Sequence, residues 1–561
     1  MEKSLSFLVA IPLLLLIGAS AAQADPARSA HPEKLAAALT QAEAAWWQMA
    51  NPATLGKPLL VAQTRYAAAT TAVVDELNAT GQGSGSGSAW DWQAAGSSRL
   101  RAGNFVLEFA RPEATGGAWE PDVFDRVDTI HHPRENRAVP TALRPGTGAP
   151  VLAVREATEA RLESEPGLPA RGYHLPATVI LDFSSAGDGR ATPTHPRTVK
   201  VEVLDPRQSV EIRLGRHRIL PVAADFATPV NEEIGTHVFG RLSFLGFFRP
   251  QRALEHSGLY SFAPFDPTKI PVVFIHGLNS DPSIWANATT DLLADPETSR
   301  RYQFWYYFYP TGVPAIASAH RLRDALDRMR AAYDPAGKNP NLSKLILVGH
   351  SMGGLLAHLL VIDSGRSFYD AYFGVPLEKL PLSADNRAAV RRNLFFTARR
   401  DVDEVIFIST PHRGSRLADW GIVRLLAKLI AVPEKLLQLS TQIVTLNVDL
   451  LNPSLRNSGL PGFSVIDSLS PSNPYFRAIE KQTIRRPFHS IIGDRGRGDT
   501  PNSSDGVVGY SSSHWDGARS EQIVPFGHSC TGQPLVFGAV HRLIREEMIG
   551  AKPAPPKRIS R

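Results

Sequence analysis

The chain has 561 residues, too many for one compact core, so two or three domains are expected. Its 43% hydrophobic and 20% charged content is that of a folded globular protein, not of a disordered or fibrous one. The formal net charge is +6, and four of those charges are Lys552, Lys557, Arg558 and Arg561 at the C-terminus. The body of the chain therefore lacks the basic surface of a nucleic-acid binder.

Residues 1–24 read as an export signal. Lys3 supplies a positive start, Phe7 to Gly18 form an apolar core too short to span a bilayer comfortably, and Ala22-Gln23-Ala24 offers an A-x-A cleavage site. An uncleaved anchor is the competing reading. Either way the expected location is periplasmic or extracellular, with the cell envelope within reach. Cys530 is the single cysteine, which excludes an internal disulfide. A large core can replace crosslinks in an exported protein, and the thiol reads as buried and quiet.

Residues 25–80 read as a helical hairpin. Leu35, Leu39, Ala42, Trp46 and Met49 recur at helical spacing, as do Leu59, Ala62, Tyr66, Val73 and Leu77, with a break at Asn51-Pro52. Residues 81–97 begin GQGSGSGS, a flexible linker by composition. From 98 to 262 short β-prone runs (FVLEFA, APVLAVR, ATVILDF, TVKVEVL, SVEIRL) alternate with Pro and Gly, which predicts a β-rich domain and favours a sandwich. The pair His131-His132 has no partner at metal-ligand spacing.

From 263 to 550 strand and helix alternate. IPVVFIHG, YQFWYYFYP, KLILVG, DEVIFIS and RPFHSII read as strands; residues 282–296, AIASAHRLRDALDRMRAAY, SMGGLLAHLLVID and PLVFGAVHRLI read as helices. Strict alternation predicts an α/β domain, a mostly parallel sheet covered on both faces, with ligands at the carboxyl ends of its strands. Ser351 lies at such an end, in Gly349-His350-Ser351-Met352-Gly353. A serine hydroxyl is a poor nucleophile and needs a base, and the base needs an orienting acid. In a tight strand–turn–helix the small residues Gly349 and Gly353 let the serine oxygen project clear of the sheet.

GHSMGG, together with VVFIHGL, STPHRGS, SSDGVVGYSSSHWDG and VPFGHS, resembles the α/β-hydrolase superfamily, and within it bacterial lipases and esterases. The resemblance covers about half the chain and implies the order serine, acid, histidine. His528, between the last strand and the last helix, is the expected base, with His514 its rival. Asp505 in DGVV is the expected acid, with Asp494 at the end of FHSIIGD as the alternative. The resemblance also implies an oxyanion hole of two backbone N–H groups, Leu278 after His276-Gly277 and Met352 after the serine. His276, His358 and His412 read as packing or loop-shaping residues. Secreted lipases place a calcium-ligating aspartate two residues after the histidine; that position here is Cys530. No metal and no cofactor are implied.

Residues 416–485 are too long for a bare loop and read as a helical cap. Ile422, Leu425, Leu426, Leu429 and Ile430 follow helical spacing with Arg424 and Lys428 opposite, compatible with a mobile lid or a fixed subdomain. The expected function is that of an exported serine hydrolase taking an ester with a hydrophobic acyl group. Acyl transfer, phospholipid or glycolipid deacylation (the motifs also resemble the GPI inositol-deacylase group), and an inactive hydrolase-fold scaffold are the alternatives. A lipid-surface contact and a basic Pro-rich tail at 551–561 complete the expectations. No nucleic-acid partner is expected, and oligomeric state is not legible.

Overall fold

A computed structural model describes residues 32–80, 99–110, 124–131, 138–184, 196–215, 218–235, 253–415, 450–452, 470–471, 473–496 and 502–549, with isolated positions at 133, 136 and 238–239. The segments read as export signal, linker and tail, and most of the segment read as a cap, including Ile422 to Ile430, lie outside the described residues, as does His132.

Helices α1 (Pro32–Ala50) and α2 (Gly56–Thr80) form the expected hairpin. Their apolar stripes, carrying Leu39, Trp46, Met49, Tyr66 and Val73, are fully buried. What they cover is a single sheet. Strands β1 (Arg99–Ala102), β2 (Phe105–Phe109), β3 (Arg126–Thr129), β5 (Ala149–Arg155), β6 (Tyr173–Asp182) and β7 (Arg197–Leu204) assemble in the order β1-β2-β7-β6-β5-β3. The sandwich expected from the strand pattern is therefore replaced by one six-stranded sheet with a helical layer, and both share one core. Alternating apolar residues demand a second layer without specifying it, and the hairpin supplies it. Two short pairs accompany this sheet: β4 (Leu143–Arg144) with β10 (Ala224–Asp225), and the ribbon β8 (Glu211–Leu214) with β9 (Arg218–Pro221).

A side chain completes one edge of this sheet's ladder. β5 pairs with β6 only as far as Val179. Beyond that point the buried Tyr66 hydroxyl donates to the Leu181 carbonyl at 2.8 Å and accepts from the Leu181 N–H at 2.7 Å. It thus stands in for the missing strand.

The second sheet has seven strands: β11 (Gly258–Ser261), β12 (Ile270–Ile275), β13 (Tyr302–Phe308), β14 (Leu345–His350), β15 (Val402–Ile408), β16 (Phe488–Gly493) and β17 (Ser520–Val524). The order is β11-β13-β12-β14-β15-β16-β17, parallel throughout except for the antiparallel edge strand β11. β11 precedes residue 263, where the change of texture places the start of this domain; a four-residue strand is too short to declare its sheet by pattern. Every residue of β12, β13 and β14 is buried, as continuous apolar runs in a two-sided sheet require. Helices Ala315–Tyr333 and Met352–Leu360 close one face, and Ala286–Ala294 and Pro534–Ile549 the other.

Replacing Tyr66 by Phe leaves both Leu181 backbone groups unpaired in the core. Tyr66→Phe is expected to destabilise the N-terminal unit by about 1–3 kcal/mol, seen as a lower thermal midpoint for that unit, with Ser351 chemistry unchanged.

Candidate active site

The loop from β14 into helix Met352–Leu360 turns at Ser351, whose φ of 53° and ψ of −123° lie in a region that non-glycine residues avoid. Close packing imposes this. A Cβ on Gly353 would lie 2.2 Å from the Ile275 carbonyl oxygen, and one on Gly349 would lie 2.7 Å from the Gly353 carbonyl oxygen. The two glycines of the motif thus let strand β12 and the helix approach the elbow. The Ser351 N–H donates to the Ile408 carbonyl at 2.9 Å, which ties the turn to β15.

Ser351, His528 and Asp505 come together although 154 and 23 residues separate them in order. Ser351 Oγ is 2.8 Å from His528 Nε2, and His528 Nδ1 is 2.7 Å from Asp505 Oδ2. Asp505 is buried, and its second oxygen, Oδ1, accepts the N–H groups of Val507 at 2.8 Å and Val508 at 2.7 Å. Burial pushes this carboxyl up, but the His528 hydrogen bond and charge and the two amides together outweigh it, so it titrates below an ordinary aspartate. The His528 N–H also donates to the Asp505 carbonyl at 3.1 Å, joining acid and histidine through their backbones as well.

The rivals lie elsewhere. His514 is engaged by Glu521 at 2.6 Å and Asp516 at 3.2 Å. Asp494 accepts from the Gly496 N–H at 2.7 Å, inside its own turn. His276 is buried; it receives the Tyr309 N–H at Nε2, 3.4 Å away, and its Nδ1 is 3.1 Å from the Gly277 carbonyl. His358 and His412 meet each other, Nδ1 to Nδ1, at 2.8 Å in the core beside Trp515. The STPHRGS segment braces the acid loop: Ser415 Oγ donates to the Val507 carbonyl at 2.6 Å, and the Arg413 N–H to Ser512 Oγ at 3.2 Å.

The residues expected as oxyanion donors flank the serine. Met352 opens its helix directly after Ser351. Gly277, next to Leu278, lies against the elbow, since a Cβ there would be 3.0 Å from Ser351 Cβ. Asn279 follows with φ of 51°, and its N–H donates to Thr311 Oγ1 at 3.2 Å, fixing the loop.

One residue of the site has no sequence signal. His350 occupies the free position of G-x-S-x-G, and its Nε2 donates to the His528 carbonyl at 2.8 Å. Burial, and then the neighbouring His528, push this imidazole down to about 3, so it donates as a neutral ring. The residue before Ser351 thereby holds the backbone of the residue that faces it. Cys530 is buried, and burial raises its thiol to about 11.

A mostly parallel sheet with a serine at a strained turn after its central strand is the architecture of the α/β-hydrolase fold. Residues 272–442 match the model of the alpha/beta hydrolase family. No curated protein matches the sequence. Among solved structures, the chain is similar to the lipase BlEst2 of Bacillus licheniformis in its mature form, at 17% identity, over 51% of this chain and 97% of that one, with a TM-score of 0.30. A metagenomic carboxyl esterase matches at 16% identity over 50% of this chain and 76% of its own, with a TM-score of 0.28. A lipase-esterase related protein of Clostridium acetobutylicum matches at 12% identity over 52% and 98%, with a TM-score of 0.25. The C-terminal half has the α/β-hydrolase fold, and the match to the family lies within it, at residues 272–442.

Two predictions follow from the geometry. His350→Leu leaves the His528 carbonyl without its donor and is expected to slow modification of Ser351 by a fluorophosphonate about tenfold, with the fold intact by circular dichroism; His350→Gln, which retains an N–H, restores part of the rate. Asp505 titrates low in the folded state. The stability it contributes is therefore complete above its unfolded value of about 3.9 and is lost as pH falls through the folded one. Acid unfolding of Asp505→Asn is expected to show a shallower pH dependence below about pH 4 than that of the parent.

Proposed function

We propose that the protein is an exported serine hydrolase that cleaves carboxylic esters through an acyl-enzyme intermediate. The observation that carries this reading is the continuous hydrogen-bond chain from Ser351 Oγ through His528 to the buried carboxylate of Asp505. His528 takes the serine proton as Oγ attacks the ester carbonyl carbon, and Asp505 accepts the bond from Nδ1–H and stabilises the imidazolium. The carbonyl oxygen, negative in the tetrahedral intermediate, meets the Leu278 and Met352 N–H groups, the latter at a helix N-terminus. The imidazolium then protonates the departing alcohol. Water, deprotonated by the same ring, releases the acid and restores the serine.

Export is supported by Lys3, the apolar run Phe7 to Gly18 and Ala22-Gln23-Ala24. A hydrophobic acyl group is supported by the apolar residues Ile422, Leu425, Leu426, Leu429 and Ile430 in the insertion between β15 and β16.

A fluorophosphonate probe and a series of p-nitrophenyl esters from acetate to palmitate test the proposal together. Labelling is expected at Ser351, absent in Ser351→Ala, and Asp505→Asn is expected to lower kcat by roughly 10⁴. No labelling and no hydrolysis across the series would make the domain a scaffold instead.

A further inference from the structure

Four of the large apolar side chains that the described residues expose belong to one end of the helical hairpin. Trp47 lies in the last turn of α1; Leu55 lies in the connecting turn; Leu60 and Val61 lie in the first two turns of α2. Leu55 is 65% exposed and Leu60 54%, so most of each side chain meets water. Ile219 of β9 is also 54% exposed, on the face of its strand opposite Arg218. Its neighbour Arg218 is buried and grips the hairpin turn: Nη1 donates to the carbonyls of Asn51 and Pro52, both at 3.0 Å, and Nη2 to that of Thr54 at 2.7 Å. The turn between the two helices, the hairpin tip, is thus held in one conformation by β9.

Its charge is one-sided. Between Glu43 and Asp75 the sequence has no acid, while Lys57 and Arg65 are exposed on α2. Glu43 itself is paired with Arg197.

We propose that this tip docks on an anionic lipid bilayer. Apolar side chains that include a tryptophan, surrounded by lysine and arginine, are the composition that enters the headgroup region: the tryptophan suits the interface and the cations meet lipid charge. A second copy of the chain fits less well, because a two-fold contact would set Lys57 and Arg65 against the same residues of the other copy. A stable protein interface uses about 20–30 residues a side, several times what the tip presents. Among the described residues no helix is long and apolar enough to cross a membrane, so the contact is interfacial.

The test is co-sedimentation of the full chain with vesicles of phosphatidylcholine, with or without phosphatidylglycerol. It does not need Ser351, so the proposal and the reading of the active site can fail separately. The parent is expected to partition onto the anionic vesicles at least about tenfold better than Leu55→Glu/Leu60→Glu. Lys57→Glu is expected to lose preference for anionic over neutral vesicles, and high salt to mimic it. Both variants change exposed side chains and should retain the parental thermal midpoint and hydrolysis of a soluble ester. Equal partitioning of parent and variants, or no partitioning of the parent, overturns the proposal. So does a parent dimer that Leu55→Glu/Leu60→Glu dissociates, which would make the tip a self-contact.

Discussion

The arrangement around Ser351 depends on one backbone conformation. At φ 53° a residue with a Cβ is strained, and such strain persists only where the surroundings over-determine it. Here they do so from three sides: the Ile408 carbonyl holds the Ser351 N–H, Ile275 crowds Gly353, and Gly354 and Leu355 donate to the Ser351 carbonyl. The same device appears twice more. Asn279 and Ser409 are the other non-glycine residues with positive φ among those described, at 51° and 46°. The three follow β12, β14 and β15, which are neighbours in the sheet. Each strand leaves the sheet by a left-handed step at the same edge, and strain is therefore concentrated where the Ser351–His528 contact forms.

The electrostatic surroundings follow a consistent rule. Four of the five histidines buried among the described residues, His276, His350, His358 and His412, have depressed imidazoles. Burial is the leading cause that depresses each of them, His276 to about 4 and His350 and His358 to about 3. As neutral rings they donate or accept one proton apiece without adding positive charge. That matters because the proposed reaction places a transient positive charge on His528, and a cation at His350, whose ring centroid is 5.0 Å away, would oppose it. Among the described residues, the one negative group in contact with His528 is Asp505.

Much of the hydrolase half was legible in the sequence because its signals are local. The helix Ala315–Tyr333 coincides with the run read as one, and GHSMGG between a strand and an apolar helix marked the elbow. Asp505 and His528 were found through order and segment resemblance, not periodicity. What escaped is non-local. Alternation in FVLEFA or TVKVEVL states that one face needs cover, but not that α1 and α2 provide it. Tyr66 reads as one more position on a helical stripe, yet its hydroxyl completes a strand ladder 115 residues away. The bond from His350 to the His528 carbonyl joins a motif position that tolerates any residue to a backbone group that no pattern records.

The two halves of the chain meet at the sheet edge, and the manner of the meeting bears on how the whole protein acts. A free edge strand offers unpaired backbone groups to other chains. β11 is such an edge, and the N-terminal unit covers it: the Ser261 N–H donates to the Gly167 carbonyl at 2.9 Å, and Tyr173 Oη and Ser261 Oγ are 2.9 Å apart. Gly167 is required there because a Cβ would lie 2.8 Å from the Trp305 ring, and Tyr333 secures the same loop by donating to the Pro166 carbonyl at 2.7 Å. Asn136 adds a bond to Asn287 at 2.8 Å on the helix Ala286–Ala294. The N-terminal unit is therefore packed against the edge of the second sheet and is not a tethered appendage. It follows that the hairpin tip holds a set orientation relative to Ser351. If the tip rests on a lipid surface, the fold itself, not a linker, sets the angle at which the serine faces that surface.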